Sequence, residues 1–287
     1  MGKIIFITGA TSGIGLVTAC ELAADGHTVI ATARSSEKGN LLLEHCRKNY
    51  FGNSGKIEIE LCDLSSFESI VNTCNTVKAR YSQIDTIINN AGTWNSGFRE
   101  SKDKIEETLQ VNVLAPLLIN HLLYSSLAKS PDAKSIFTAS ALHQGYVDFS
   151  NLEFRNRFSG FKSYRQSKLE IILLCRLLAK KLAQSNIGVY CQHPGLVNTN
   201  LSRDAGWFFS LVFRFAGISP KKGAETLIYL AKQDKAHLVS GEYYTLKAVK
   251  KITPQSYDMQ VAQRLSDKLK TYLTKYIGSS SSPIFEK

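Results

Sequence analysis

Tyr164 and Lys168 stand four residues apart in "YRQSK". On a helix beginning near Phe161 that spacing puts both side chains on one face, where they can share a ligand. A phenol with an ordinary pKa of about 10 exchanges protons poorly near neutrality unless a nearby ammonium favours its phenolate. The pair therefore reads as a proton-transfer site, against the plainer reading of two side chains snorkelling along a helix surface. Ser140 follows the apolar run "SIFTA". At the carboxyl end of a parallel strand its hydroxyl can bond a reacting oxygen and stabilise developing charge; otherwise it is a turn or cap serine. Asn112 interrupts the apolar helical segment "IEETLQVNVLAPLLINHLL". A buried amide needs partners, so it either serves the same site or is a satisfied core asparagine.

A second kind of chemistry is written at the start of the chain. "KIIFIT" reads as a strand, Thr8 to Gly15 as a tight turn and "IGLVTACELAADG" as the helix that follows, closed by Gly26. Gly9, Gly13 and Gly15 permit a sharp bend and close backbone approach to a ligand, and the first N–H groups of the helix, around Thr11, Ser12 and Ile14, suit a pyrophosphate. Glycine clusters alone are weak evidence. Strand, elbow and helix in this order supply the context that a dinucleotide site requires. The second strand, "HTVIATA", ends at Arg34. An NAD site carries Asp or Glu at this station, whereas arginine can pair with a ribose 2′-phosphate, so NADP(H) is the expected cofactor.

These residues must be positioned by an α/β framework. Apolar runs at "KIIFIT", "HTVIATA", "KIEIEL", "IDTIIN", "AKSIFTAS", "IGVYCQH" and "GEYYTL" alternate with helix-period segments. Parallel strands need crossovers and bury both faces, so the pattern predicts a Rossmann-type doubly wound parallel sheet of about seven strands in one domain over residues 1–276. The serine-rich end, 277–287, is expected to be a flexible tail. The net charge of +11 suits an anionic partner, but no zinc-finger spacing or arginine-rich block accompanies it, so nucleic acid is not expected. The six cysteines, at 20, 46, 62, 74, 175 and 191, form no CxxC pair or metal spacing. They read as free buried thiols in a reducing compartment, without a disulfide framework or a metal. The opening apolar run is too short for a signal peptide, and no window reaches a membrane span, so a cytoplasmic protein is expected.

"TGATSGIG" at 8–15, "NNAG" at 89–92, Asn112 in "LQVNVLAP", Ser140 in "FTASALH", "YRQSK" at 164–168 and "HPGLVNT" at 193–199 together resemble the short-chain dehydrogenase/reductase family, over the chain to about Tyr244. Within it, "ASALH" and "HPGLVNT" are most like the retinol dehydrogenase group, which resembles protochlorophyllide reductases and the dehydrogenase domain of WW-domain oxidoreductases. Two features are expected to depart from that group: no N-terminal membrane anchor of the kind common in animal retinol dehydrogenases is expected, and Ala139 stands where a serine is frequent. The resemblance implies that Tyr164 is the general acid/base, that Lys168 also binds the nicotinamide ribose, and that Asn112 holds a backbone kink and completes a proton relay. It further implies that Asp63, with Leu64, meets the adenine, that Asn90, Ala91 and Gly92 line the cofactor, and that Pro194, Gly195, Val197 and Thr199 surround the nicotinamide. His121, His143 and His193 read as structural.

The apolar stretch "WFFSLVFRFAG", 207–217, follows the nicotinamide loop, where the family carries a substrate lid, here about 200–218. A lid over a greasy pocket ranks first, peripheral membrane contact second, and core packing third. The reading is an NADP(H)-dependent oxidoreductase that transfers hydride between nicotinamide and the carbonyl or alcohol of a small lipophilic substrate: a retinoid, a steroid or a long-chain aldehyde. A catalytically weak NADP(H)-binding scaffold acting through partners is the alternative. Pairing as a homodimer stays open.

Overall fold

The computed structural model describes residues 2–50, 55–195, 218–278 and 282–286. Eight strands form one sheet in the order β3-β2-β1-β4-β5-β6-β7-β8. They are β1 (Ile4–Ile7), β2 (Thr28–Ala33), β3 (Lys56–Leu61), β4 (Thr86–Asn89), β5 (Lys134–Thr138), β6 (Gly188–Gln192), β7 (Tyr243–Thr245) and β8 (Ala248–Val249). Every pairing is parallel except β7 with β8. β8, only two residues long, is the strand beyond the expected seven.

Alternation within the strands sends side chains to both faces. Phe6 of β1 joins the core on one side while Ile5 and Ile7 join the core on the other. Helices α1 (Gly13–Ala24), α2 (Ser36–Asn49) and α7 (Pro220–Lys232) cover the second face. The first is covered by α3 (Phe67–Arg80), α5 (Ala115–Leu127), α6 (Gly160–Lys181) and α8 (Met259–Ile277). Side chains of Ser35, Ser66, Ser159, Ser219 and Asp258 accept first-turn N–H groups of α2, α3, α6, α7 and α8. Ser12, the N-cap of α1, makes no such bond, which leaves the start of that helix open to another acceptor.

Two expectations fail in the structure. Cys20 of α1 and Cys46 of α2 are joined in a disulfide, so four of the six cysteines are free, all four buried. The two lie 26 residues apart, and they meet because both helices pack on one face of the sheet, a tertiary fact that sequence spacing does not reveal. The tail does not fray throughout: residues 283–285 form a 3-10 turn whose Ile284 and Phe285 are buried. Lys270 Nζ donates to Phe285 O at 3.0 Å and Lys181 Nζ to Ile284 O at 3.3 Å, tying the tail to α8 and α6. Ile284→Ala is accordingly expected to cost about 2–4 kcal/mol, as for other core truncations. Urea unfolding should report a lower midpoint with an unchanged slope.

Candidate active site

The sheet changes winding direction between β1 and β4, and a cleft of about 490 Å³ opens at the carboxyl ends of the central strands. At its first end lies the glycine elbow. Gly9 and Gly13 adopt φ of +68° and +56°, a region that side chains rarely enter. A Cβ on Gly15 would meet Gly9 O at 2.1 Å, so the turn can close only around glycine. Thr8 Oγ1 accepts the Asn90 and Ala91 N–H groups, each at 3.1 Å, and Asn90 Nδ2 donates to Thr8 O and Gly9 O, each at 3.2 Å. The turn after β1 is thereby bound to the turn after β4.

Arg34 follows β2, is exposed and lines the cleft. Asp63, after β3, accepts from Ser65 N–H and Oγ and pairs with Lys102 at 2.8 Å. Burial opposes its ionisation, yet the bonds from Lys102 and Ser65 hold its pKa below the ordinary carboxylate value.

At the far end, α6 presents Tyr164 and Lys168 to the cleft, both nearly fully buried. The Tyr164 ring stacks on Trp94, with centroids 4.5 Å apart and planes 11° from parallel, and the Ser140 side chain lies near enough to its hydroxyl to favour the ionised form. Leu142 N–H donates to Ser140 Oγ at 3.1 Å, which aims the serine. Lys168 Nζ donates to Thr138 O at 3.0 Å and lies 5.5 Å from the Tyr164 ring centroid. Burial pushes the Tyr164 phenol up to about 12, with Ser140 opposing, and pushes the Lys168 ammonium down to about 8. In the protein by itself, burial therefore favours the neutral phenol. Desolvation outweighs the opposing effect of Ser140, and the resident form at neutral pH is a phenol that can donate.

Asn112 does not line the cleft but supports its wall from behind. It sits at the centre of a π-helical turn, Gln110–Leu114, between the short α4 (Glu107–Leu109) and α5. Thr93 N–H donates to Asn112 Oδ1 at 2.7 Å, and Asn112 Nδ2 donates to Thr93 O and Ser167 Oγ, each at 3.0 Å. The amide thus ties the strand-4 turn to α6, with every polar atom used. A Cβ on Gly92 would lie 3.4 Å from Asn112 Oδ1 and 3.5 Å from Lys168 Nζ, ordinary contact distances that place Gly92 directly beside the lysine.

Gly9, Thr11, Ser12, Gly13, Ile14, Gly15, Arg34, Asp63, Leu64, Asn90, Ala91, Gly92, Ser140, Tyr164, Lys168, Pro194 and Gly195 all line this one cleft. Val197, Thr199 and the 207–217 segment lie outside the described residues. Trp94, Arg99 and Thr138 also face the cleft and were not anticipated. Trp94 follows "NNAG" by two positions, and an aromatic so close to a cofactor turn was the available signal. Thr138 acts through its backbone carbonyl, which residue type cannot disclose. The uncapped α1, the left-handed glycines and the bare Gly92 fit a nicotinamide dinucleotide laid along the cleft. Among the described residues, no group of three or more His, Cys, Asp or Glu is placed to hold a metal ion, and no helix is long and apolar enough to cross a membrane.

Comparison with known proteins agrees with this geometry. Residues 3–206 match the family model for short chain dehydrogenases. Mouse retinol dehydrogenase 14 is 32% identical over 281 residues, spanning 93% of this chain and 84% of that protein. Human retinol dehydrogenase 11 is 31% identical over 273 residues, with the same coverage of 93% and 84%. Among solved structures, an uncharacterized protein from Mycobacterium paratuberculosis superposes with a TM-score of 0.75 at 27% identity, covering 95% of this chain and 93% of that one. The NADPH-bound carbonyl reductase from chicken fatty liver, at 21% identity with a TM-score of 0.66 over 88% of this chain and 99% of that one, shares the fold. The chain belongs to the short-chain dehydrogenase/reductase family, resembles its retinol dehydrogenase group, and is a dehydrogenase/reductase of CH–OH or C=O groups that uses a nicotinamide cofactor.

Proposed function

We propose that the protein is an NADP(H)-dependent reductase of lipophilic carbonyl compounds, with Tyr164 as the proton donor, Ser140 as its partner on the substrate oxygen, and Lys168 and Asn112 as the supporting pair. The observation that carries this reading is the meeting of the Ser140 hydroxyl and the Tyr164 phenol beside Lys168, in a cleft whose other end is the open start of α1. When bound, the nicotinamide supplies or accepts the hydride. The residues of the chain do the rest. Ser140 and Tyr164 together bond the carbonyl oxygen, and the phenol proton passes to that oxygen as negative charge develops. Because burial holds the phenol protonated, carbonyl reduction is the direction served without prior proton loss. Lys168, held by Thr138 O, keeps a cation beside the ring and can reach a ribose hydroxyl across Gly92.

Preference for NADP(H) rests on Arg34 and on the lack of an acid at that station. A lipophilic substrate is supported by Trp94, Val111 and Leu142 along the cleft, and by the retinol dehydrogenase relatives. Retinoids, steroids and long-chain aldehydes are the classes to assay first.

Tyr164→Phe is expected to lower kcat by about 10²–10⁴-fold, the usual worth of a positioned acid, while NADPH affinity changes little. NADPH oxidation with hydrophobic aldehydes and ketones measures the first, and fluorescence titration the second. Equal turnover in the two proteins would remove Tyr164 as the acid, and loss of NADPH binding would recast it as structural. Arg34→Asp should shift the NADPH-over-NADH ratio of kcat/KM toward NADH by about 10- to 100-fold, from the loss of one charge-assisted pair and the gain of a repulsion. An unchanged ratio refutes the NADP(H) assignment.

The pH profile follows from Lys168. Its ammonium is present below about 8 and is lost as pH rises through that value, while the Tyr164 phenol stays protonated to about 12. Reductive kcat/KM should therefore be flat below pH 8 and decline above it. In Lys168→Arg the residual activity should lack that decline, because arginine does not titrate there. A falling limb that survives the substitution belongs to another group.

A further inference from the structure

Ser140 stands just past the end of β5, where ladder hydrogen bonds run out: the last is Ala139 N–H to Gln192 O at 2.8 Å. From there the backbone is held by side chains. The carbonyl of Ser140 is met by His143 Nδ1 at 2.8 Å and by the Tyr243 hydroxyl at 3.2 Å. The next N–H, that of Ala141, donates to His193 Nδ1 at 3.2 Å. Ser140 C=O and Ala141 N–H are the two ends of one planar peptide unit. Three side chains from three places therefore grip a single peptide: His143 from the serine loop, His193 from the end of β6, and Tyr243 from β7.

We propose that His143, His193 and Tyr243 are positioning residues that clamp the Ser140–Ala141 peptide plane and thereby aim the serine hydroxyl at Tyr164. The proposal rests on the role given to Ser140 above.

The chemistry of the three side chains fits only one arrangement of protons. A carbonyl accepts, so His143 must carry its proton on Nδ1, and its Nε2 is then a bare lone pair. That atom is buried and lacks a hydrogen-bond partner, so nothing at Nε2 competes for the proton. His193 accepts from an N–H, so its Nδ1 is the bare one and its proton sits on Nε2. Burial, with Arg165 and Lys250 adding to it, lowers the His143 pKa against the pull of the Ser140 carbonyl. Burial likewise pushes His193 down to about 4. Both rings are neutral near pH 7, in opposite tautomers. The Tyr243 ring lies between them, 5.6 Å from His143 and 6.5 Å from His193, the latter pair 18° from parallel. Rotation of the 140–141 peptide would break all three bonds at once and turn the Ser140 side chain away from Tyr164.

A positioning role makes a claim that a merely structural one does not: the effect must vanish when the serine hydroxyl is absent. Tyr243→Phe removes one oxygen and leaves the ring. It should lower kcat about five- to tenfold, the worth of one hydrogen bond, with little change in NADPH affinity. In a Ser140→Ala background the same substitution should change kcat by less than about twofold, since coupled residues act as a unit. His143→Leu should cost more than Tyr243→Phe, and His143→Asn, which can donate from the same place, should restore most of the loss. Equal losses from Tyr243→Phe in both backgrounds, or no loss in the first, would overturn the clamp. Wild-type turnover by Ser140→Ala itself would instead sink the role of Ser140, a separate failure. A readout independent of turnover is available in ¹⁵N-edited imidazole spectra of the free protein at neutral pH, assigned with His143→Asn and His193→Asn. His143 should be protonated on Nδ1 and His193 on Nε2; the reverse tautomers, or a doubly protonated ring in either, would refute the proposal.

Discussion

Two residues, Thr8 and Asn90, determine whether the cleft exists. Parallel strands end with unpaired backbone groups at their carboxyl edge, and a change of winding direction between β1 and β4 leaves no helix to cover them there. The Thr8 hydroxyl takes up two N–H groups of the strand-4 turn, and the Asn90 amide takes up two carbonyls of the strand-1 turn. The backbone is thus satisfied without being covered. Every other element of the site inherits its place from this join. Gly15 packs against it, Ala91 abuts Gly9, and Thr93, three residues on, carries the frame forward to Asn112.

From Asn112 the frame passes to the acid. A π-helical turn inserts an extra residue into the helical ladder, and such turns survive where the side chain they release is used. Here it bonds Thr93 on one side and Ser167 on the other. Ser167 lies between Tyr164 and Lys168 on α6, and its hydroxyl donates back to Tyr164 O at 2.8 Å. The glycine-elbow end and the Tyr164 end of the cleft are therefore joined by one hydrogen-bond network rather than being two sites that happen to adjoin. The burial of this network also sets its protonation: desolvation disfavours both the phenolate and the ammonium. A charged phenolate has to be created by ligand contacts rather than by Lys168 alone.

Local order was the legible part of the sequence. The strand–elbow–helix start, the apolar runs of β1 to β7, and the stations of Ser140, Tyr164 and Lys168 are fixed by short-range pattern, and the described site residues other than Asn112 line one cleft. What escaped depends on tertiary meetings. Cys20 and Cys46 are unremarked in sequence and become bonded because α1 and α2, on the same face of the sheet, bring their Cα atoms within 5.3 Å. Ile284 and Phe285 follow a serine run that looks disordered, yet an apolar pair next to a proline finds the groove between α8 and α6. The sign of the Tyr164 shift could not be read from a four-residue spacing, because desolvation depends on Trp94, seventy positions earlier, closing over the ring.

The histidines carry the same lesson one step further. His143 and His193 look structural because the sequence already offers Tyr164 as an acid, and both end on backbone atoms. Their worth lies in where they end: on one peptide, beside the one hydroxyl that meets the acid. A strand terminus is a poor platform for a residue that must be aimed, since its last carbonyl has no neighbour to hold it. The sheet order supplies a remedy, for β7 lies next to β6 and β6 next to β5, so His193, just past the end of β6, and Tyr243, the first residue of β7, reach the serine loop together. On the proposed clamp, aim at Ser140 is a property of three adjacent strands, and a protein with the Ser, Tyr and Lys in place could still lose turnover through a change on β7.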